Sequence, residues 1–201
     1  MTPFEKILPV VVLDSVAAAE PLGAALLAAG IHQVEVTLRT PAALEAIRIL
    51  AAEPRLRVGA GTVLDGAQLD ATVDAGAAFV VSPGLIEEVV ERGRERGIPV
   101  VPGIATATEL ARARSLGLRT VKFFPAEPLG GPAAIAALAS VFPEMSFVPT
   151  GGIGPRSAAG YLALPAVVAV GGSWMVPRPA LASGDFGAVE RLSREAVAAA
   201  S

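Results

Sequence analysis

Short apolar runs alternate along the chain with alanine-rich segments in which apolar residues recur at helical spacing. Runs of this length, bounded by glycine, proline or polar residues, predict buried β-strands, and the segments between them predict amphipathic helices. Strands are predicted at Ile7–Leu13, Gln33–Leu38, Leu56–Gly59, Ala78–Ser82, Pro99–Val101, Arg119–Phe124, Ser146–Val148 and Val167–Val170. Helices are predicted at Val16–Ala29, Pro41–Ala52, Gly66–Ala75, Ile86–Arg96, Ala107–Leu116, Pro132–Val141, Pro155–Leu162 and Phe186–Ala200.

Prolines and glycines support these boundaries. Proline is tolerated in the first turn of a helix, and glycine is common just past its last turn. The sequence has prolines at three predicted helix starts and glycines after four predicted helix ends: Pro41, Pro132, Pro155, Gly30, Gly76, Gly97 and Gly117.

One uninterrupted series of strand–helix units predicts a single-domain (β/α)8 TIM barrel over residues 1–201, with a short N-terminal segment, residues 1–6, before the first strand. An open doubly wound sheet is the alternative, and it usually carries a glycine-rich nucleotide-binding turn. The sequence Gly59-Ala60-Gly61 lacks the third glycine of such a turn, and no GxxxxGK[ST] motif occurs. The barrel is therefore the predicted fold.

Polar residues occupy every second position of the second predicted strand. Period-two alternation places one polar set on a single face: Gln33, Glu35, Thr37 and Arg39. The intervening apolar set must face the helices, so Glu35 and Arg39 are expected to point into the barrel near its mouth. An internal Glu–Arg ion pair is the structural alternative. Function is favoured because barrel interiors are usually filled by branched apolar residues.

Lys122 lies within the apolar run of the sixth predicted strand, and the chain has one other lysine, Lys6. Burial disfavours an ammonium ion, and a neutral amine is a nucleophile that forms Schiff bases with carbonyl substrates. A lysine paired with a carboxylate, or one that reaches the surface, is the structural alternative. If Lys122 points inward, it meets Glu35, which supplies a carboxylate for proton transfer.

Two glycine turns follow the last two strands: Thr150-Gly151-Gly152 and Gly171-Gly172-Ser173. Glycine lets backbone N–H groups approach an anion closely, and a following helix N-terminus adds a favourable dipole. The corresponding loops of many barrels bind phosphate, so a phosphorylated ligand is predicted. Thr62, which follows Gly61, is a candidate to bind a substrate carboxylate together with Arg39, although a tight strand-to-helix turn explains the same residues.

Composition excludes several classes of function. The chain is 53% hydrophobic and 17% charged, carries a net charge of −3 and has no cysteine and one histidine, His32. Nucleic acid and membrane partners, disulfides and multi-histidine metal sites are therefore not expected. The N-terminus has no signal-peptide pattern, so a cytoplasmic protein is predicted, and the apolar fraction hints at an oligomer.

Seven segments together resemble the 2-keto-3-deoxy-6-phosphogluconate aldolases, which are class I aldolases. They are 35–40 (EVTLRT), 58–64 (VGAGTVL), 82–84 (SPG), 101–104 (VPGI), 122–127 (KFFPAE), 149–153 (PTGGI) and 171–174 (GGSW). They occur in the family's order and span nearly the whole chain. The resemblance implies cleavage of 2-dehydro-3-deoxy-6-phosphogluconate to pyruvate and glyceraldehyde 3-phosphate, and also suggests cleavage of 4-hydroxy-2-oxoglutarate.

The resemblance also assigns roles to residues. It implies that Lys122 forms the Schiff base and that Glu35 is the general acid/base. Arg39 and Thr62 would hold the pyruvyl carboxylate. The other substrate-binding residues would hold the phosphate or line the pocket: Gly151, Gly152, Gly172, Ser173, Pro83, Phe124 and Thr150. Members of the family are expected to be homotrimers that need no metal or other cofactor.

Two other functions remain open at this point. One is a barrel isomerase or synthase acting on a different phosphorylated metabolite, which would need no covalent lysine. The other is a barrel that binds a phosphorylated ligand without catalysis.

Overall fold

β-Strands and helices alternate along residues 4–200, the part of the chain that the computed structural model describes. The strands are β1 (Ile7–Val11), β2 (Gln33–Thr37), β3 (Arg57–Gly61), β4 (Phe79–Ser82), β5 (Val100–Ile104), β6 (Thr120–Phe123), β7 (Ser146–Pro149) and β8 (Val170–Gly172). The helices are α1 (Ala19–Ala28), α2 (Ala43–Ala51), α3 (Gly66–Asp74), α4 (Glu87–Glu95), α5 (Ala107–Ser115), α6 (Gly131–Val141), α7 (Ala158–Leu162), α8 (Arg178–Ser183) and α9 (Phe186–Ala200). The predicted domain of residues 1–201 and its N-terminal segment 1–6 include residues 1–3 and 201, which lie outside the described residues.

All strand pairs are parallel, and the hydrogen-bonded order is β7-β6-β5-β4-β3-β2-β1-β8. The remaining gap, between β7 and β8, is spanned by two parallel bridges, Phe147 with Val167 and Thr150 with Gly171. The sheet therefore forms a nearly closed barrel surrounded by helices, which confirms the predicted (β/α)8 fold.

Apolar side chains form one layer outside the barrel and another inside it. On β2, Val34 and Val36 pack outward against the helices, and Val121 and Phe123 do the same on β6. The inner layer consists of Leu8, Phe79, Val81, Val101, Val148 and Ala169. The alternation read from the sequence is confirmed, because the residues between these outward-facing valines, including Glu35, belong to the barrel interior.

Some predicted boundaries are wrong, mostly where glycine lies inside a strand. β3 continues to Gly61 and β5 to Ile104, each beyond its predicted end. β8 begins at Val170, where the prediction ended it, and Val167 makes only an isolated bridge. The glycines in these segments were interpreted as turn residues, but in the structure they belong to the strands.

Proline also misled the prediction in one region and guided it in another. α8 was not predicted, because Pro177 and Pro179 resemble helix breakers, yet proline is acceptable in a first turn. α2 and α7 begin at Ala43 and Ala158, past the prolines predicted to start them. α6 begins at Gly131, one residue before the predicted start at Pro132, and the proline lies in its first turn. The four helix-ending glycines are confirmed. Those glycines all have positive φ: Gly30, Gly76, Gly97 and Gly117.

The amino end of the barrel is covered by aromatic rings and a guanidinium group. The rings of Phe4 and Phe79 meet edge to face with centroids 5.2 Å apart, and the Arg57 guanidinium lies 4.9 and 4.8 Å from the two centroids. Burial lowers the pKa of the Arg57 guanidinium. At the same end, His32 Nδ1 lies 3.1 Å from Glu5 Oε1, so His32 is remote from the mouth.

Both ends of the described chain lie near this amino end. The Lys6 ammonium donates a 2.6 Å hydrogen bond to the carbonyl oxygen of Ala200 at the end of α9. The backbone carbonyl of Lys6 also accepts a hydrogen bond from the N–H of Val170. In the described range, no helix has both the length and the hydrophobicity required to cross a bilayer.

Candidate active site

A buried lysine and a buried carboxylate meet inside the barrel. Lys122 Nζ on β6 lies 3.2 Å from Glu35 Oε1 on β2, and the two side chains are 8% and 1% exposed. The second oxygen, Oε2, has no hydrogen-bond partner among the described residues. The pair is thus poised to exchange a proton and still has an acceptor free for a further group.

Glycines in the neighbouring strands make room for the Glu35 carboxylate and for the Pro83 carbonyl. A Cβ atom on Gly61 would lie 2.2 Å from Glu35 Oε1. Gly103 is the register partner of Lys122, and a Cβ there would lie 2.2 Å from the carbonyl oxygen of Pro83. Gly61 and Gly103 were not predicted as site residues, because the need for glycine at these positions arises from atoms of neighbouring strands.

Thr62 and Arg39 lie beyond the carboxyl ends of β3 and β2. Thr62 has φ of 60°, an unusual conformation for a β-branched residue that often marks a functional site. β2 ends at Thr37, so the alternation that predicted an inward Arg39 stops two residues before it. Arg39 is exposed and has no ion-pair partner within residues 4–200, which leaves its guanidinium available to an anion.

Pro83 and Phe124 form walls beside Lys122. Pro83 follows β4, and its carbonyl approaches Gly103 as described above. Phe124 follows β6, and its ring centroid lies 5.3 Å from Lys122 Nζ. Phe124 is therefore placed beside the lysine, and the Pro83 carbonyl lies beside Gly103, the register partner of the lysine.

The first glycine turn depends on glycine at two positions. Gly151 and Gly152 have φ of 103° and 80°, and a Cβ on Gly152 would lie 2.7 Å from the Glu127 Cβ. The N–H of Gly152 donates to no acceptor within residues 4–200. Just before the turn, Thr150 is buried, and its Oγ1 has no partner among the described residues.

The second turn closes around an aromatic ring. Gly172 ends β8, and a Cβ there would lie 1.9 Å from Trp174 Cζ3, so the indole occupies the space that a side chain would need. Ser173 is exposed, and its backbone N–H has no acceptor in the described part of the chain. The two turns therefore present unused N–H donors at the same edge of the barrel, which suits a phosphate.

Helix dipoles contribute little to an anion at these turns, because α7 and α8 each begin six residues after Gly152 and Gly172. The backbone N–H groups of the turns, and not helix dipoles, are the feature that fits an anion. No cluster of three or more residues of the metal-binding types that could hold an ion occurs within residues 4–200.

A barrel interior that holds a paired lysine and carboxylate is the arrangement of enzymes that use a lysine as a covalent nucleophile. Comparison with known proteins identifies the family. The family model described as "KDPG and KHG aldolase" matches residues 3–192, and the chain belongs to that family.

Individual relatives agree with this family. The chain is 47% identical over 192 residues to the KHG/KDPG aldolase of Escherichia coli strain K12, which covers 95% of this chain and 90% of that protein. A solved KDPG aldolase from Legionella pneumophila, with pyruvate captured as a covalent carbinolamine intermediate, is 41% identical with a TM-score of 0.91 and covers 94% of this chain and 92% of its own. The aldolase of Zymomonas mobilis ZM4, solved with 3-phosphoglycerate, is 44% identical with a TM-score of 0.90. The match covers 96% of this chain and 90% of the Zymomonas chain.

Proposed function

We propose that this protein is a class I aldolase that cleaves 2-dehydro-3-deoxy-6-phosphogluconate to pyruvate and D-glyceraldehyde 3-phosphate. The observation that carries the proposal is the 3.2 Å contact between Lys122 Nζ and Glu35 Oε1 in the barrel interior. An isomerase or a ligand-binding barrel needs no buried nucleophile beside a proton acceptor, whereas Schiff-base chemistry needs both.

The first half of the reaction forms an iminium ion. Glu35 accepts a proton from the Lys122 ammonium, and the neutral amine attacks the C2 ketone to give a carbinolamine. Glu35 returns the proton to the C2 hydroxyl, which leaves as water while the C=N bond forms. The resulting iminium is the electron sink that the next step requires.

The second half breaks the C3–C4 bond. The Glu35 carboxylate, directly or through a water, takes the proton of the C4 hydroxyl, and the C3–C4 electron pair moves into the iminium. Glyceraldehyde 3-phosphate leaves, and an enamine remains on Lys122. Glu35 then protonates C3, and hydrolysis of the imine releases pyruvate. Each assisted proton transfer contributes about 10²–10⁴-fold to the rate.

The substrate would be held at its two charged ends. Arg39 and Thr62 bind the carboxylate next to C2, and the backbone N–H groups of the glycine turns bind the phosphate. In that second group we place the substrate-binding residues Gly151, Gly152, Gly172 and Ser173. Pro83, Phe124 and Thr150 line the space between. Fixing both ends positions C2 over Lys122, and such positioning lowers the barrier by reducing the entropy that must be lost.

A second substrate, 4-hydroxy-2-oxoglutarate, is favoured by the double name of the Escherichia coli relative, KHG/KDPG aldolase. Its cleavage to pyruvate and glyoxylate uses the same residues but has no phosphate to bind. The homotrimer and the cytoplasmic location expected from the sequence stay predictions. A solved protein cage made by fusing symmetric oligomeric domains is 29% identical over 95% of this chain, which supports self-association.

Borohydride reduction in the presence of pyruvate tests the proposal, because it traps the imine on the lysine that forms it. Peptide mass mapping should place the adduct on Lys122, and Lys6→Arg should trap pyruvate as well as the unmodified chain. Glu35→Gln should form the adduct but lose about 10²–10⁴-fold in turnover. An adduct on Lys6, no adduct at all, or full activity of Glu35→Gln contradicts the mechanism.

A further inference from the structure

A bidentate ion pair joins the loops that follow β1 and β8. Arg178 Nε lies 2.7 Å from Asp14 Oδ2, and Arg178 Nη2 lies 2.6 Å from Asp14 Oδ1. The residues are 164 positions apart in sequence, so the pair ties together two distant parts of the chain. Arg178 was not among the site residues predicted from the sequence.

The pair sits at the carboxyl edge of the barrel, beside the second glycine turn. Asp14 lies three residues after β1 ends, and Arg178 lies five residues after Ser173. β1 and β8 are neighbouring strands, with Pro9 opposite Gly172. The arginine therefore begins α8, directly after the loop whose N–H groups we assign to the phosphate.

The geometry of the pair leaves much of the guanidinium unused. A guanidinium has five N–H donors, and Asp14 accepts from two of them, so three remain. Two parallel hydrogen bonds fix the plane of the group, and a fixed guanidinium is well suited to a phosphate. Asp14 thus holds in place a cation whose remaining donors suit the phosphate that we assign to the neighbouring turn.

Stability does not account for this arrangement. The side chains of Arg178 and Asp14 are 61% and 44% exposed, and exposed ion pairs contribute little to folding. The hydrogen bond from Arg178 is the main cause that lowers the pKa of the Asp14 carboxyl below its ordinary value of 3.8. Asp14 is charged at neutral pH with or without this shift, so the anchor is present there.

We propose that Arg178, anchored by Asp14, determines specificity for the phosphorylated end of the substrate. Arg178 supplies a cationic hydrogen-bond donor to the phosphate beside the backbone N–H of Ser173, and Asp14 is a positioning residue that acts through Arg178. The inference rests on the proposed function and assigns to this site two side chains that the family resemblance did not supply.

The test compares substrates with and without a phosphate. In Arg178→Ala, the KM for 2-dehydro-3-deoxy-6-phosphogluconate should rise about tenfold, the effect expected for one charge-assisted hydrogen bond. In the same variant, the kcat for the phosphorylated substrate and the KM for 4-hydroxy-2-oxoglutarate should not change. The KM of Arg178→Lys for the phosphorylated substrate should lie between those of the unmodified chain and Arg178→Ala. Lysine keeps the positive charge but lacks the planar set of donors of a guanidinium. Equal changes for both substrates, or no change for either, would overturn the proposal.

The anchor is tested by a double-mutant cycle. Asp14→Ala should raise the same KM by a smaller factor, and the double variant should be no worse than Arg178→Ala alone. Additive effects, or tighter binding in Asp14→Ala, would overturn the positioning role. The matched control is Arg112→Ala, which removes an equally exposed bidentate pair with Glu87 between α4 and α5 and should change neither KM.

Calorimetric titration separates this inference from the proposed function. The unmodified chain should bind 3-phosphoglycerate more tightly than glycerate, and Arg178→Ala should lose most of that difference. If pyruvate trapping fails while this difference persists, the proposed reaction is wrong and the phosphate site stands. If trapping succeeds while Arg178→Ala keeps the full preference, the Arg178 assignment alone is wrong.

Discussion

Lys122 and Glu35 are each costly to bury, and each is tolerable only because of the other. Removing one partner of a buried ion pair typically destabilises a protein by about 3–5 kcal/mol, because the remaining charge has no compensation. An apolar pair would fill this space without that risk, as apolar side chains do elsewhere in the inner layer. The charged pair is therefore a feature retained for chemistry and not for stability.

Gly61 controls the position of the Glu35 carboxylate, which leads to a test of the site. Gly61→Ala places a Cβ atom 2.2 Å from Glu35 Oε1 and should push the carboxylate away from Lys122. We expect turnover to fall by about a hundredfold or more, since proton transfer through Glu35 is lost. Steady-state assays with circular dichroism as a fold check would measure this.

Gly187→Ala is the matched control, because its Cβ would make only an ordinary 3.7 Å contact with Asp185 Oδ1. It should leave turnover unchanged. Equal losses in both variants would show that the effect is not specific to Glu35, and full activity of Gly61→Ala would refute the steric argument.

The sequence was sufficient to predict that Lys122 and Glu35 point into the barrel, because strand alternation fixes which side chains point inward. It was not sufficient to predict that glycine is required at positions 61 and 103, because that requirement comes from atoms of neighbouring strands. Nor could it reveal the contact between Asp14 and Arg178. Exposed charges leave no periodic signal, and only the closed barrel brings the loops of β1 and β8 together.

At the scale of elements, glycine has opposite effects inside a helix and at its end. Gly160 lies within α7, and a Cβ there would meet no atom within 4 Å. Gly30 follows α1, and a Cβ there would also meet nothing, but its φ is +81°. Available space is the same at both positions, so backbone conformation alone distinguishes them.

Gly160→Ala should therefore raise the free energy of unfolding by about 0.5–1 kcal/mol, because alanine loses less backbone entropy in a helix. Gly30→Ala should lower it by about 1 kcal/mol, because a side chain disfavours the left-handed conformation. Urea denaturation of both variants would measure the two shifts. The same sign in both would contradict the conformational explanation.

The same property of glycine explains why strand prediction failed for β3 and β8 while helix ends were placed well. A glycine after a helix follows a local rule, since the chain itself needs positive φ there. A glycine inside a strand follows a tertiary requirement, such as the Trp174 ring against Gly172. The local sequence therefore predicts the glycines that end helices but not the glycines that a neighbouring side chain requires inside a strand.

At the scale of the whole molecule, arginines hold several surface carboxyls in their charged form. A hydrogen bond from an arginine is the main cause that lowers the pKa of each of them, and the pKa of Glu53, beside Arg55, falls to about 2. The others are Asp14, Asp70, Glu87 and Glu144. Protonation of these groups must therefore accompany acid unfolding.

The sign of the pH dependence follows from these shifts. The folded pKa values lie below the unfolded ones, so the unfolded chain binds more protons and stability rises with pH. For Glu53 the contribution is complete above its ordinary pKa of 4.5 and is lost as the pH falls through about 2. We expect the urea midpoint to fall progressively below pH 4.5.

High salt serves as the control for the acid experiment. About 1 M NaCl shortens the Debye length to roughly 3 Å and should weaken the pH dependence, because these pairs are exposed. Arg55→Gln should reduce it as well. A urea midpoint that stays constant from pH 6 to pH 2.5 would refute the role of the surface pairs.

The bond between Lys6 and Ala200 has a practical consequence for protein engineering. It brings both ends of the described chain to the amino end of the barrel, where Phe4 and Phe79 cover the interior. The mouth that leads to Lys122 opens at the opposite end. A tag, a surface linker or a second enzyme joined at either end of the described range, residues 4–200, would therefore project away from the path of the substrate. If the protein were immobilised through such a fusion, the mouth of the barrel would remain open to the solvent.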